Sequence, residues 1–228
     1  MKVKEKILLD NKGLCEHGAV NIVILGDSVS QGSLVDDCDY ESVYWNRLKK
    51  KLNSLNDRIP VNMICSAIGG TTASFALKRL ESGVFNHNPD LVIVCFGLND
   101  VNGSKEEYLG SLKTIFSESI RRNIDVIFMT PNMLNTYVAD DTLKNLRDYA
   151  EVTANYQNSG RMDDYIFSAV RLAEDMEITV CDCYSQWKKL SETEDTTLLL
   201  ANRINHPVRE MHQLFADKLY ETIMEEGK

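Results

Sequence analysis

No apolar run in this sequence approaches the ~18 residues that a membrane-spanning helix needs. Positive charge is in short supply: 25 Lys and Arg against 34 Asp and Glu leave a net charge of -9. A phosphate backbone is bound by basic surface, so nucleic acid is not an expected partner. Proline is scarce, and no Pro/Gly-rich linker, internal repeat or low-complexity tract divides the chain. One domain over residues 1–228 is therefore the expectation. Six cysteines are present, but Cys181 and Cys183 form a lone C-x-C pair, with no second pair to complete a zinc site. The start, MKVKEKILLDNKG, holds only Ile7-Leu8-Leu9 as an apolar run, too short for a signal-peptide core. With reduced thiols this reads as a cytoplasmic protein. Three common site motifs are also missing: the dinucleotide G-x-G-x-x-G, the P-loop lysine and the G-x-S-x-G elbow.

Present instead is a regular alternation. Val20–Leu25, Val61–Cys65, Leu91–Phe96, Val126–Met129 and Ile178–Cys181 are short, near-continuous apolar runs. That is the pattern of parallel strands covered on both faces. Between them, apolar residues recur at three- and four-residue steps: Tyr44, Leu48, Leu52 and Leu55; Leu112, Ile115, Phe116 and Ile120; Ile166, Val170, Ala173 and Met176; and finally Met211, Leu214, Phe215 and Leu219. These are core-facing helix stripes. The expected fold is a three-layer α/β/α sandwich around a flavodoxin-like, mostly parallel five-stranded sheet. Pro131 to Arg161 fits this alternation poorly, being long and polar. Connections of that length are commonly functional or mobile, and a lid or substrate-selecting insertion and a solvated surface helix both fit.

In open α/β sheets, sites form beyond the carboxyl ends of the strands. The first strand is followed by Gly26-Asp27-Ser28, the second by Ile68-Gly69-Gly70-Thr71-Thr72, and the third by Gly97-Leu98-Asn99-Asp100. Together they offer a hydroxyl, glycine backbone N–H groups and a carboxamide. A hydroxyl nucleophile needs a base, and acyl transfer needs donors for the developing oxyanion. Ser28 N–H, Gly70 N–H and the Asn99 side chain could donate. Among the four histidines, His206 lies just before Pro207, on a loop ahead of the last helix, and is the candidate base. Structural readings compete at each position: Ser28 as a helix N-cap, Gly69 and Gly70 as a tight turn, Asn99 as a turn former. Asp27 and Asp100 read as loop braces that accept backbone hydrogen bonds, and His212 as a solvated or packed helix residue.

GDSVSQG at 26–32, IGGTT at 68–72, FGLND at 96–100 and NHP at 205–207 occur in the block order of the SGNH (GDS-L) hydrolase superfamily, which the chain resembles over nearly its whole length. The resemblance implies an ester hydrolase with Ser28 as nucleophile, His206 as base, and Ser28, Gly70 and Asn99 as the oxyanion hole. It implies a small-molecule ester as partner and no metal or other cofactor. Short-chain acyl or acetylated carbohydrate and metabolite esters are the expected substrates, with lysophospholipase or thioesterase chemistry, or an inactive ligand-binding relative, as alternatives. One position departs from the pattern. The family's last block usually reads D-x-x-H, and here Arg203 stands three residues before His206. Asn202, a backbone carbonyl of the 201–205 loop, or Asp182 after the fifth strand are the candidates for orienting the imidazole, an uncharged acceptor from that loop being favoured.

Overall fold

The structure, a computed structural model, describes residues 2–55 and 59–225. Five strands form one sheet: β1 Val20–Gly26, β2 Val61–Cys65, β3 Leu91–Cys95, β4 Asp125–Met129 and β5 Thr179–Cys181. Their order is β2-β1-β3-β4-β5 and every pairing is parallel. β-Branched side chains alternate to both faces of β1, and all five residues of β3 are buried. The central strands are therefore covered on both sides, as their unbroken apolar runs require.

Among the described residues, eleven α-helices connect and cover the strands. α1 Val3–Ile7 and α2 Asn11–His17 precede the sheet, and the short α3 Ser28–Gln31 follows β1 directly. Next come α4 Tyr44–Leu55, α5 Ala73–Leu77, α6 Leu80–Gly83 and α7 Lys105–Arg121. α8 Arg147–Asn158, α9 Arg161–Asp175, α10 Cys183–Leu190 and α11 His212–Glu225 complete the order. α4 and α11 pack together on one face, while α5, α7 and α9 pack on the other, with α8 against α9.

α7 shows how sequence sets an element. Ser104 caps it by accepting the Glu107 N–H at 3.3 Å, and Glu106 and Glu107 sit in the first turn, where the helix dipole favours anions. Its buried stripe includes Leu112, Ile115 and Phe116. Each such side chain contributes ~1.5–3 kcal/mol on burial, and Phe116 meets Phe128 of β4 edge-on, with ring centroids 5.8 Å apart. The stripe stops earlier than its spacing predicts: Ile120, in the last turn of α7, is 49% exposed. Leu55, the last residue of α4, is exposed as well.

Strand order reverses between β1 and β3, so a crevice opens where Gly26-Asp27-Ser28 and Gly97-Leu98-Asn99 leave the sheet. The long segment after β4 borders this crevice. Its first stretch is buried and laced to the chain before the last helix: Asn132 Nδ2 donates to Asn205 O at 2.9 Å, and Asn135 N–H to Ile204 O at 2.9 Å. Among the described residues, no helix is long and apolar enough to cross a membrane.

Candidate active site

Ser28 is the first residue of α3, immediately after the strand end, and is buried. Asp27 caps the helix, its Oδ1 accepting the Val29 N–H at 3.0 Å. The backbone N–H of Ser28 lies in the first turn, where an α-helix provides no internal acceptor. The helix lasts one turn because Gly32 takes a left-handed conformation, φ 87°. A side chain there would also meet the Asp39 carbonyl at 2.9 Å, so the chain can fold back tightly only at a glycine.

Ser28 Oγ lies 2.9 Å from His206 Nε2, and His206 Nδ1 lies 2.6 Å from the Leu34 carbonyl oxygen. A carbonyl can only accept, so Nδ1 carries the proton and the Nε2 lone pair faces the serine hydroxyl. That tautomer is the one a general base requires. Burial holds the imidazole pKa below its ordinary 6.5, partly opposed by the Leu34 carbonyl, which favours the charged ring.

The expected orienting groups sit elsewhere. Both ring nitrogens are engaged, and neither contacts Asn202 or Asp182. Asn202 Oδ1 instead accepts the N–H groups of Ile204, Asn205 and His206, each at 3.0 Å, and so shapes the loop that presents the ring. Asp182 caps α10 through the Ser185 N–H at 3.0 Å and accepts from Thr130 Oγ1 at 3.1 Å. The acceptor is an uncharged backbone carbonyl, but it comes from the loop after α3 and not from residues 201–205. Arg203 adopts φ 59° and turns its guanidinium toward Leu198 O, Leu200 O and the Asp141 carboxylate, bracing the loop from outside.

The donors converge from the other two loops. Gly70 has φ 73°, and its N–H has no acceptor among the described residues. The preceding Gly69 N–H donates to Gln31 Oε1 at 2.7 Å, which ties this loop to the serine helix. Asn99 Nδ2 donates to Thr71 O at 3.1 Å and makes a longer contact, 3.4 Å, with Asp27 Oδ2. Asp100 accepts the N–H groups of Ala73 and Gly97 at 2.9 and 3.0 Å, fastening the second loop to the third. Both aspartates thus brace their loops, and burial raises both: Asp27 to about 7 and Asp100 to about 6. His212 is packed, stacked on Tyr44, and takes no part in the site.

Ser28, Gly70, Asn99 and His206 line one side of a cavity of about 390 Å³. Val35, Leu146, Tyr149 and Ile204 line much of the rest, and among the described residues no Lys, Arg, Asp or Glu faces it. Leu146 and Tyr149 belong to the long polar segment, which the sequence pattern could not place. Leu34, Gln31 and Val35 also escaped sequence reasoning. Leu34 acts through its backbone, and the other two lie in or just beyond a recognised motif without marking themselves.

An α/β sandwich with a serine at the β1 switch point, an imidazole against it and unpartnered N–H groups beside it has the parts of a serine hydrolase. Residues 24–214 match the model of the GDSL-like lipase/acylhydrolase family, and the chain belongs to that family. Among curated proteins, an uncharacterized lipoprotein YqeF of Bacillus subtilis (strain 168) is 29% identical over 126 residues, covering 51% of this chain and 50% of the relative. The platelet-activating factor acetylhydrolase IB subunit alpha1 of Rattus norvegicus is 32% identical over 95 residues, covering 41% of this chain and 34% of its own length. The chain thus spans half or less of these curated relatives. Among solved structures, Axe2, an acetylxylan esterase from Geobacillus stearothermophilus, superposes with a TM-score of 0.70 at 19% identity, covering 92% and 96% of the two chains. LAE5, an α/β hydrolase enzyme from the metagenome of Lake Arreo, Spain, gives 0.69 at 20% identity, covering 92% and 98%. These likenesses establish the shared fold.

Proposed function

We propose that the protein hydrolyses small, uncharged carboxylic esters, with Ser28 as nucleophile and His206 as general base. The observation that carries this reading is the 2.9 Å contact between Ser28 Oγ and His206 Nε2, with the tautomer fixed by Leu34 O. As Oγ attacks the ester carbonyl carbon, His206 Nε2 takes the hydroxyl proton. The tetrahedral oxyanion is met by the N–H groups of Ser28 and Gly70 and by Asn99. One Asn99 amide proton is committed to Thr71 O. The other, held only at 3.4 Å by Asp27, turns to the oxyanion. The imidazolium then protonates the leaving alcohol, and water repeats the sequence on the acyl-serine to release the acid.

The cavity supports an uncharged substrate, since none of its lining side chains could neutralise a phosphate headgroup. Its size and the acetyl groups named for the acetylxylan esterase and the acetylhydrolase subunit favour a short acyl group, and the acetylxylan esterase favours a carbohydrate alcohol. A lysophospholipid is correspondingly disfavoured.

Hydrolysis of p-nitrophenyl acetate, butyrate and octanoate by wild type, Ser28→Ala and His206→Ala tests the reading. Wild type is expected to turn over acetate fastest, and each variant to lose at least ~10³-fold in kcat. Wild-type rates in Ser28→Ala would sink the proposal. Preference for octanoate would move the substrate class toward fatty acyl esters.

A further inference from the structure

The Leu34 carbonyl can orient His206 only if two separate stretches of chain keep a fixed distance. The first is the loop from Gly32 to Asp39. Its own bonds are local: Ser33 N–H to Ser28 O at 2.9 Å, Leu34 N–H to Asp37 O at 2.9 Å and Asp39 N–H to Gly32 O at 2.8 Å. The second stretch carries His206 and is fixed by the Asn202 side chain and by the bridge between Leu200 and Pro207. Among the described residues, two kinds of polar contact cross from one stretch to the other. One is the Leu34–His206 hydrogen bond itself. The other comes from Arg209, three residues beyond His206. Its Nε donates to Asp39 Oδ2 at 2.6 Å, and its Nη2 lies 3.8 Å from Asp37 Oδ2.

Asp39 is built to receive that contact. Its Oδ1 is occupied by the N–H groups of Glu41 and Ser42, at 3.0 and 2.9 Å, which leaves Oδ2 pointed at the guanidinium. Its backbone closes on Gly32, at the end of the serine helix. One ion pair therefore connects the nucleophile's helix, the orienting carbonyl and the base's loop.

We infer that Arg209 and Asp39 are positioning residues that clamp the Leu34 carbonyl onto His206 Nδ1, doing the orienting work otherwise expected of an aspartate at position 203. The inference rests on the Ser28–His206 reading above. The buried Leu34 side chain anchors its own residue, but residues 35–37 beyond it are exposed, and catalytic geometry must hold to within ~0.5 Å. The Arg209–Asp39 pair holds this outer part of the loop against the base's loop. A second tether makes the clamp separable from the fold: Arg47 Nη2 donates to the Arg209 carbonyl at 3.0 Å, so Arg209 can lose its side chain while its backbone stays in place.

The test compares wild type, Arg209→Ala, Arg209→Lys and Asp39→Asn on p-nitrophenyl acetate, with the imidazole N–H protons followed by NMR on protein carrying ¹⁵N-histidine. The His206 Nδ1 proton is assigned by its loss in His206→Ala. Arg209→Ala is expected to lower kcat about tenfold or more, a fraction of the ~10⁴ lost when a serine hydrolase adopts the wrong tautomer, with KM within about twofold. The Nδ1 proton signal should move upfield or broaden through exchange. Asp39→Asn, which keeps the Glu41 and Ser42 acceptor oxygen, should follow it. Arg209→Lys, which retains the charge opposite Asp39, should restore at least half of the lost rate. Wild-type kcat and an unmoved signal in Arg209→Ala overturn the clamp, as does a loss in Arg209→Ala that lysine fails to repair. If Ser28→Ala proves as active as wild type, the underlying reading falls and the clamp's catalytic role with it, whatever the Arg209 variants do.

Discussion

Asp27 offers a quantitative check on the electrostatics beneath the site. Its carboxyl is 1% exposed, and burial raises its pKa from 3.8 to about 7, with a further push from Asp100 and an opposing pull from the Val29 N–H. The folded protein therefore binds a proton at pH values where the unfolded chain has released it. The resulting contribution to stability is complete below pH 3.8 and is lost as pH rises through about 7. Between pH 5 and pH 8 the loss comes to about 2.5 kcal/mol. His212 acts in the opposite direction. Its pKa falls from 6.5 to about 4 through burial, so the unfolded chain binds the extra proton, and stability gains about 2 kcal/mol over the same interval. The Asp27 and His212 contributions therefore largely offset each other over this interval.

Asp27→Asn separates the two. The amide keeps an oxygen for the Val29 N–H but sets a nitrogen against Asn99 Nδ2, a cost that does not depend on pH. The contributions of His212, His206 and Asp100 are present in both proteins and cancel in the difference to first order. Urea unfolding followed through Trp45 and Trp187 fluorescence at pH 5, 6, 7 and 8 gives that difference directly. The variant should gain on wild type by about 2.5 kcal/mol between pH 5 and pH 8, about half of it between pH 5 and pH 6 and most of it below pH 7. A difference that stays constant within ~0.5 kcal/mol would falsify the claim that the native state holds Asp27 protonated.

Two further outcomes follow from the site. Asn99→Ala removes a donor that also holds Thr71, and kcat on p-nitrophenyl acetate should fall by about 10²–10³; a loss confined to KM would remove Asn99 from the oxyanion hole. Because burial depresses the His206 pKa, the base is neutral at pH 7, and kcat/KM should rise with pH through an apparent pKa below 6.5 and then level off. An apparent pKa above 7 would assign the limb to a group other than His206.

The sheet was legible because buried parallel strands leave unbroken apolar runs, and each of the five runs became a strand. That Ser28, Gly70 and Asn99 come together was legible because strand ends on one rim must converge; His206, on the loop ahead of the last helix, was legible only through its place before Pro207 and in the family's last block, and it stands beside Ser28. The failures share a different cause. Asp182 follows a strand and looked available to the rim, but an aspartate just ahead of a helix is a ready N-cap, and its carboxylate accepts the Ser185 backbone N–H and the Thr130 hydroxyl instead. Leu34 stands 172 residues from His206 and contributes a carbonyl that every residue possesses, so no side-chain pattern could disclose it.

That substitution of acceptor has an electrostatic consequence. A carboxylate at position 203 would stabilise the imidazolium and hold the histidine pKa up. A neutral carbonyl fixes the same tautomer with a weaker upward pull, and at His206 burial outweighs it. On the proposed mechanism the site gives up stabilisation of the charged ring and keeps His206 unprotonated to lower pH. Arg203 is compatible with this arrangement because its left-handed backbone turns the guanidinium toward Asp141 and the 198–200 carbonyls, away from the ring. A cation facing the imidazolium would raise the cost of each proton transfer. On the proposed roles, the loss of the usual aspartate and the outward turn of its replacement belong to one solution, in which orientation comes from the Leu34 carbonyl and the Arg209–Asp39 pair braces it.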